Sequence, residues 1–204
     1  MIYILRILQG YLKFGHFVMS KKMGYTKRMR YDVLIDLINA SKADRIVEIG
    51  LGSGITAKKI LEAIPDPGLR YVGVDPFKPY DASDINSTMT RLRSNKQSVK
   101  EIKDPRFIHV EDCAINKLNS IMEIMGTHIN FVFIDGEHSY PAVIYDLNTW
   151  WDLIDSDGII AGHDYDRVKM FPGVKKAVDE FVKEKDIELR FDADVYWFQV
   201  NKES

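Results

Sequence analysis

The sequence predicts an α/β domain built on an open, mostly parallel sheet, and three observations carry that prediction. Arg45 to Thr56 reads as a strand (Ile46, Val47, Ile49), a turn with glycines at alternate positions (Gly50, Gly52, Gly54) and an apolar-periodic helix running from Ile55 to Ile64. Twenty-one residues past Gly54 a second β-rich run, Tyr71-Val72-Gly73-Val74, stops at an acidic residue, Asp75. Two further apolar runs, Phe131 to Ile134 and Gly158 to Gly162, stop at polar clusters that contain Asp135 and His138, and His163 and Asp164. Buried strands alternating with helices and ending in polar groups describe a sheet whose carboxyl edge holds the chemistry.

Taken in order, the chain begins with Met1 to Met19, rich in Ile, Leu, Tyr and Phe but broken by Arg6, Lys13 and His16. These charges come well before the ~20 uninterrupted apolar residues a membrane span needs. An amphipathic helix is expected instead, either packed on the domain or on a second subunit of a homodimer, or lying on a membrane surface. A basic turn follows, and Val33, Leu34, Leu37 and Ile38 then give the stripe of a second helix. The expected division is an N-terminal helical segment, residues 1–41, and a ligand-binding domain, residues 42–204.

The connection after Asp75, Pro76 to Pro105, holds a helical pattern at Ile85, Met89 and Leu92 inside a long polar loop, a candidate cover for the site. Phe107 to Val110 is the third strand, ending in Glu111-Asp112-Cys113; Cys113 reads first as a small packed hydrophobe. Ser139 and Pro141 open the helix after strand four, with Trp150 and Trp151 on its core side. Val174, Ala177, Val178 and Phe181 form the last main helix. Ile187 to Phe191 and Val195 to Val200 make a closing hairpin around Asp192-Ala193-Asp194.

The glycine turn narrows the ligand. Free N–H groups at a helix start suit an anionic or polar group, and glycine lets the backbone lie against it. The dinucleotide pattern G-x-G-x-x-G needs glycine where Ile55 stands, which disfavours an NAD-dependent oxidoreductase. Glu48-Ile49-Gly50-Leu51-Gly52-Ser53-Gly54 instead resembles the E/D-x-G-x-G-x-G loop of class I S-adenosylmethionine-dependent methyltransferases. Asp135 to Tyr140, His163-Asp164-Tyr165 and Gly173 to Phe181 are similar to the small-molecule group that includes macrolide-sugar and rhamnosyl O-methyltransferases and cephalosporin-hydroxylase-type proteins. The likeness spans about residues 44–183.

That resemblance implies a Rossmann-like fold with seven strands in the order 3-2-1-4-5-7-6. It implies a cofactor site of Glu48, Gly50, Gly52, Ser53, Gly54, Asp75, Asp112, Cys113 and Asp135, with Asp75 taking the ribose hydroxyls and Asp112 and Cys113 near the adenine. It further implies a divalent cation, magnesium or manganese, held by Asp135, His163 and Asp164, the histidine standing where relatives often carry an acid. A hydroxyl acceptor must be aligned and deprotonated, and a cation can do both for a diol. His138, three residues past Asp135 and titrating near neutral pH, is the first candidate base, and His163 the second.

The expected activity is O-methylation of a sugar or other small hydroxylated metabolite. The rivals are a different reaction of the cephalosporin-hydroxylase type and a non-catalytic cofactor-binding subunit. A net charge of -2 and a pI near 6.2 argue against a broad basic nucleic-acid surface. The single cysteine excludes a disulfide framework and a multi-cysteine zinc site, and fits a cytoplasmic setting.

Overall fold

A computed structural model describes residues 28–79, 85–126 and 128–202. The expected helix of Met1 to Met19 and the tip of the long loop at residues 80–84 lie outside the described residues. The elements run α1 (Arg30–Ser41), β1 (Arg45–Ile49), α2 (Ile55–Ala63), β2 (Arg70–Val74), α3 (Ile85–Lys100), β3 (Phe107–Val110), a 3-10 turn (Ala114–Lys117) and α4 (Leu118–Met125). The second half runs β4 (Phe131–Ile134), α5 (Tyr140–Leu153), β5 (Ile159–Gly162), α6 (Pro172–Lys185), β6 (Arg190–Asp192) and β7 (Val195–Gln199). One sheet holds all seven strands in the order β3-β2-β1-β4-β5-β7-β6. Pairings are parallel from β3 to β5, and β7 runs antiparallel to both β5 and β6.

Strand alternation sorts the apolar side chains into two cores. Val47, Ile49, Val72, Val132, Ile134 and Ile160 face the layer of α4, α5 and α6. Ile46, Tyr71, Phe131, Phe133 and Ile159 face α1 and α2, where Val33, Leu34, Leu37 and Ile38 bury the expected stripe. Both faces are covered, so the strands read as continuous apolar runs.

The closing hairpin is shorter than its sequence suggests, because β6 begins only at Arg190. Ile187 and Leu189 pack on the core outside the ladder. Ala193 and Asp194 both adopt left-handed backbone, the geometry of a tight two-residue hairpin turn. β7 delivers Tyr196 against the end of β5, where its ring fills the space a side chain at Gly162 would need.

Candidate active site

The carboxyl ends of β1, β2 and β3 meet in a cleft of about 560 Å³ lined by, among others, Gly50, Pro76, Asp112, Cys113, Gly136 and Tyr145. Gly50, at φ 87°, donates its N–H to the Val74 carbonyl at 2.8 Å, and a Cβ there would overlap the Asp135 carbonyl. No other residue fits that approach. The loop binds the end of β2 directly: Gly52 donates its N–H to Asp75 Oδ2 at 3.0 Å, and Phe77 donates to Oδ1 at 2.7 Å. Burial lifts the Asp75 carboxyl above its usual range and these backbone donors oppose it. The Leu51 N–H adds to the same effect, so the carboxylate is held by the backbone of both the glycine loop and the segment after β2. Gly54, also left-handed, caps α2, and Ser53 is exposed on the loop.

At the far end of the cleft Asp112 accepts hydrogen bonds from the Asn116 amide at 2.9 Å and the Cys113 N–H at 2.7 Å. Cys113 is exposed, which corrects its reading as a packed hydrophobe. The 3-10 turn begins one residue later, so Ala114 takes the buried place. Glu48 does not line the cleft. Alternation turns it to the α1 face, 1% exposed, where it accepts a hydrogen bond from the Tyr71 hydroxyl at 2.7 Å. Burial pushes its carboxyl up to about 8 against that hydrogen bond.

The ends of β4 and β5 build a second cluster next to this cleft. Asp135 Oδ1 lies 3.5 Å from His163 Nδ1 and 4.0 Å from His138 Nε2, while its Oδ2 accepts a hydrogen bond from Arg30 Nη1 at 2.7 Å. Asp164 Oδ2 is 2.9 Å from His138 Nε2, and Oδ1 is 3.0 Å from both His163 Nδ1 and Arg167 Nε. Asp164 holds a left-handed backbone at φ 65°, a conformation aspartate tolerates better than most side chains. Burial pulls the His163 imidazole down, but the two carboxylates beside it prevail and lift it to about 9. Burial works to raise the Asp164 carboxyl, and the two imidazoles hold it well below its usual range instead. His138 stacks on Phe171, with centroids 4.0 Å apart and planes at 18°.

One oxygen each from Asp135 and Asp164 and a nitrogen from His138 lie within 4.8 Å of one another. His163, placed in the ligand set by sequence, touches the same carboxylates from the buried side. His138 Nε2, His163 Nδ1 and Asp164 Oδ1 are all buried, and their close approaches are out of line for a hydrogen bond. Two orphaned imidazole nitrogens and an orphaned carboxylate oxygen, with a second carboxylate, Asp135, alongside, fit a divalent cation, and the nitrogen donors favour manganese over magnesium.

Sequence reasoning gave Arg30 no role. It sits at the end of a basic run that looks like an ordinary solvated connection. Ser139 starts α5 as expected, but its hydroxyl donates to Glu137 at 2.7 Å rather than capping the helix.

The methyltransferase-domain family profile matches residues 47–165. The chain is 24% identical over 169 residues to the uncharacterized protein R132 of Acanthamoeba polyphaga mimivirus, covering 81% of this chain and 72% of that one. Among solved structures, the Podospora anserina methyltransferase PaMTH1, bound to S-adenosylhomocysteine, is similar with a TM-score of 0.60 and 18% identity, over 87% of this chain and 80% of that one. CalS11, a TDP-rhamnose 3'-O-methyltransferase of calicheamicin biosynthesis, is similar with a TM-score of 0.59 and 16% identity, over 83% and 79%. Among the described residues no helix is long and apolar enough to cross a membrane.

Proposed function

The chain belongs to the methyltransferase-domain family, and from that premise we propose that it transfers a methyl group from S-adenosylmethionine to a hydroxyl of a small molecule, a sugar or other diol, with a divalent cation. The observation that carries the reading is the cluster of Asp135, His138 and Asp164 at the sheet edge, beside a cleft bordered by a glycine loop and Asp112. That CalS11 is a methyltransferase of a sugar nucleotide, TDP-rhamnose, supports a sugar acceptor.

In this reading Asp75 accepts the ribose hydroxyls, Asp112 and Cys113 border the adenine, and the open Gly52 face lets the ligand lie against the main chain. The acceptor oxygen forms its bond to the methyl carbon as the carbon–sulfur bond breaks, and the hydroxyl proton passes to His138. A cation held by Asp135, Asp164 and His163 would orient two acceptor oxygens and make the hydroxyl more acidic. His138 is suited to the proton because its side chain is 31% exposed, against 8% for His163. Phe171 keeps the His138 ring flat against the loop after β5.

The grouping of His138 with the two aspartates favours a second assignment, in which His138 is the ligand and His163 positions the carboxylates. Calorimetric titration of metal-stripped protein with S-adenosylhomocysteine and with manganese tests the whole reading. Micromolar binding of both is expected. Failure to bind the homocysteine product removes the function proposed. Manganese affinity retained in His138→Ala and lost in His163→Ala supports the first assignment, and the reverse supports the second.

A further inference from the structure

We infer that Arg30 is the residue that receives the carboxylate at the amino-acid end of the cofactor, an inference that rests on the cofactor proposed above. The sheet order places Asp112 after β3, Asp75 after β2, the glycine loop after β1 and Asp135 after β4. A ligand with its base at Asp112 and its ribose at Asp75 must run its third part past the loop toward Asp135. Its sulfur has to face the acceptor side, where the histidines stand, so its carboxylate is left for the opposite flank.

Arg30 occupies that flank. It is the first residue of α1, and its guanidinium reaches back over the loop to donate from Nε to Thr56 Oγ1 at 3.1 Å and from Nη1 to Asp135 Oδ2 at 2.7 Å. Thr56 is 1% exposed and is the second residue of α2, so one anchor is rigid; the other is the outer oxygen of Asp135, whose inner oxygen faces the histidines. Two anchors fix the plane of the guanidinium. Among the described residues its Nη2 makes no hydrogen bond. A half-used guanidinium fork matches a carboxylate in shape and charge.

The test compares two probes by calorimetry in wild type, Arg30→Ala and Arg30→Lys: S-adenosylhomocysteine, and its decarboxylated form, which keeps the adenosine, the thioether and the amine. A charge-assisted hydrogen bond of this kind corresponds to roughly a 10–100-fold change in affinity. Wild type is expected to bind the decarboxylated probe that much more weakly than the homocysteine product. Arg30→Ala should weaken the homocysteine product by a similar factor and leave the decarboxylated probe unchanged, and Arg30→Lys should recover part of the loss. Unchanged binding of the decarboxylated probe also shows that the variant is folded. Equal affinity of wild type for both probes, or an equal loss of both in Arg30→Ala, overturns the inference and leaves the cofactor reading standing. If wild type binds neither probe, both fall together.

Discussion

The two halves of the site handle their charges in opposite ways. Around the glycine loop the carboxylates are met by backbone and amide donors of the same chain: Asp75 by Gly52 and Phe77, Asp112 by Cys113 and Asn116. At the ends of β4 and β5, Asp164 and the two histidines crowd together with their buried atoms out of line. The carboxylates of the first half are satisfied by the chain itself. The second collects polar groups that the chain does not satisfy by itself, the condition expected of a site finished by a ligand.

The comparison can be broken at several points. The largest expected effect is from Asp164→Asn in the unsatisfied half: transfer activity down by roughly 10³-fold and manganese heat lost, with S-adenosylhomocysteine affinity within about threefold of wild type. Comparable losses of both ligands would show that the halves are not separate. Gly50→Ala attacks the satisfied half through its backbone. The positive φ and the overlap with the Asp135 carbonyl predict about 3 kcal/mol of lost stability in urea unfolding. A stability near wild type would mean that the loop is far softer than drawn.

Asp75→Ala comes next. It removes the acceptor that Gly52 and Phe77 organise, and S-adenosylhomocysteine binding should weaken by roughly 10–100-fold while manganese binding is unchanged. Last comes Glu48→Gln, in neither half. Because the folded Glu48 carboxyl is lifted to about 8 from 4.5, the native state holds a proton that the unfolded chain releases. That contribution is fully present below pH 4.5 and is lost as pH rises through 8. The glutamine variant lacks this slope, and above pH 8 it should be more stable than wild type by roughly 2 kcal/mol in parallel unfolding curves.

Much of this was legible in the chain because repeated patterns report the backbone. The seven strands stand in the order that the resemblance implied, and the glycine loop, the acidic strand ends and the buried stripe of α1 all fall where periodicity and turn chemistry put them. What stayed hidden depends on which way a single residue turns. Glu48 lies on a strand with both faces buried, so period-two alternation gave no polar side to assign it to. The place of Cys113 depended on whether it or Ala114 began the 3-10 turn, a one-residue difference with no sequence mark. Arg30 meets Asp135 across 105 positions of chain. Its spacing among other basic residues carried no hint of that contact.

The packing of Tyr196 against Gly162 bears on how this protein can be altered. β5 ends at Gly162, and the next two residues are His163 and Asp164; any side chain at 162 must displace the tyrosine ring or shift the strand that aims those two groups. Mutational freedom therefore changes abruptly along a few residues. In the loop beyond Tyr165, Val168 and Met170 are exposed and free to vary, whereas the strand end before it tolerates almost no variation. The outer hairpin, far from the cleft in sequence, serves as the template against which the strand end carrying His163 and Asp164 is set.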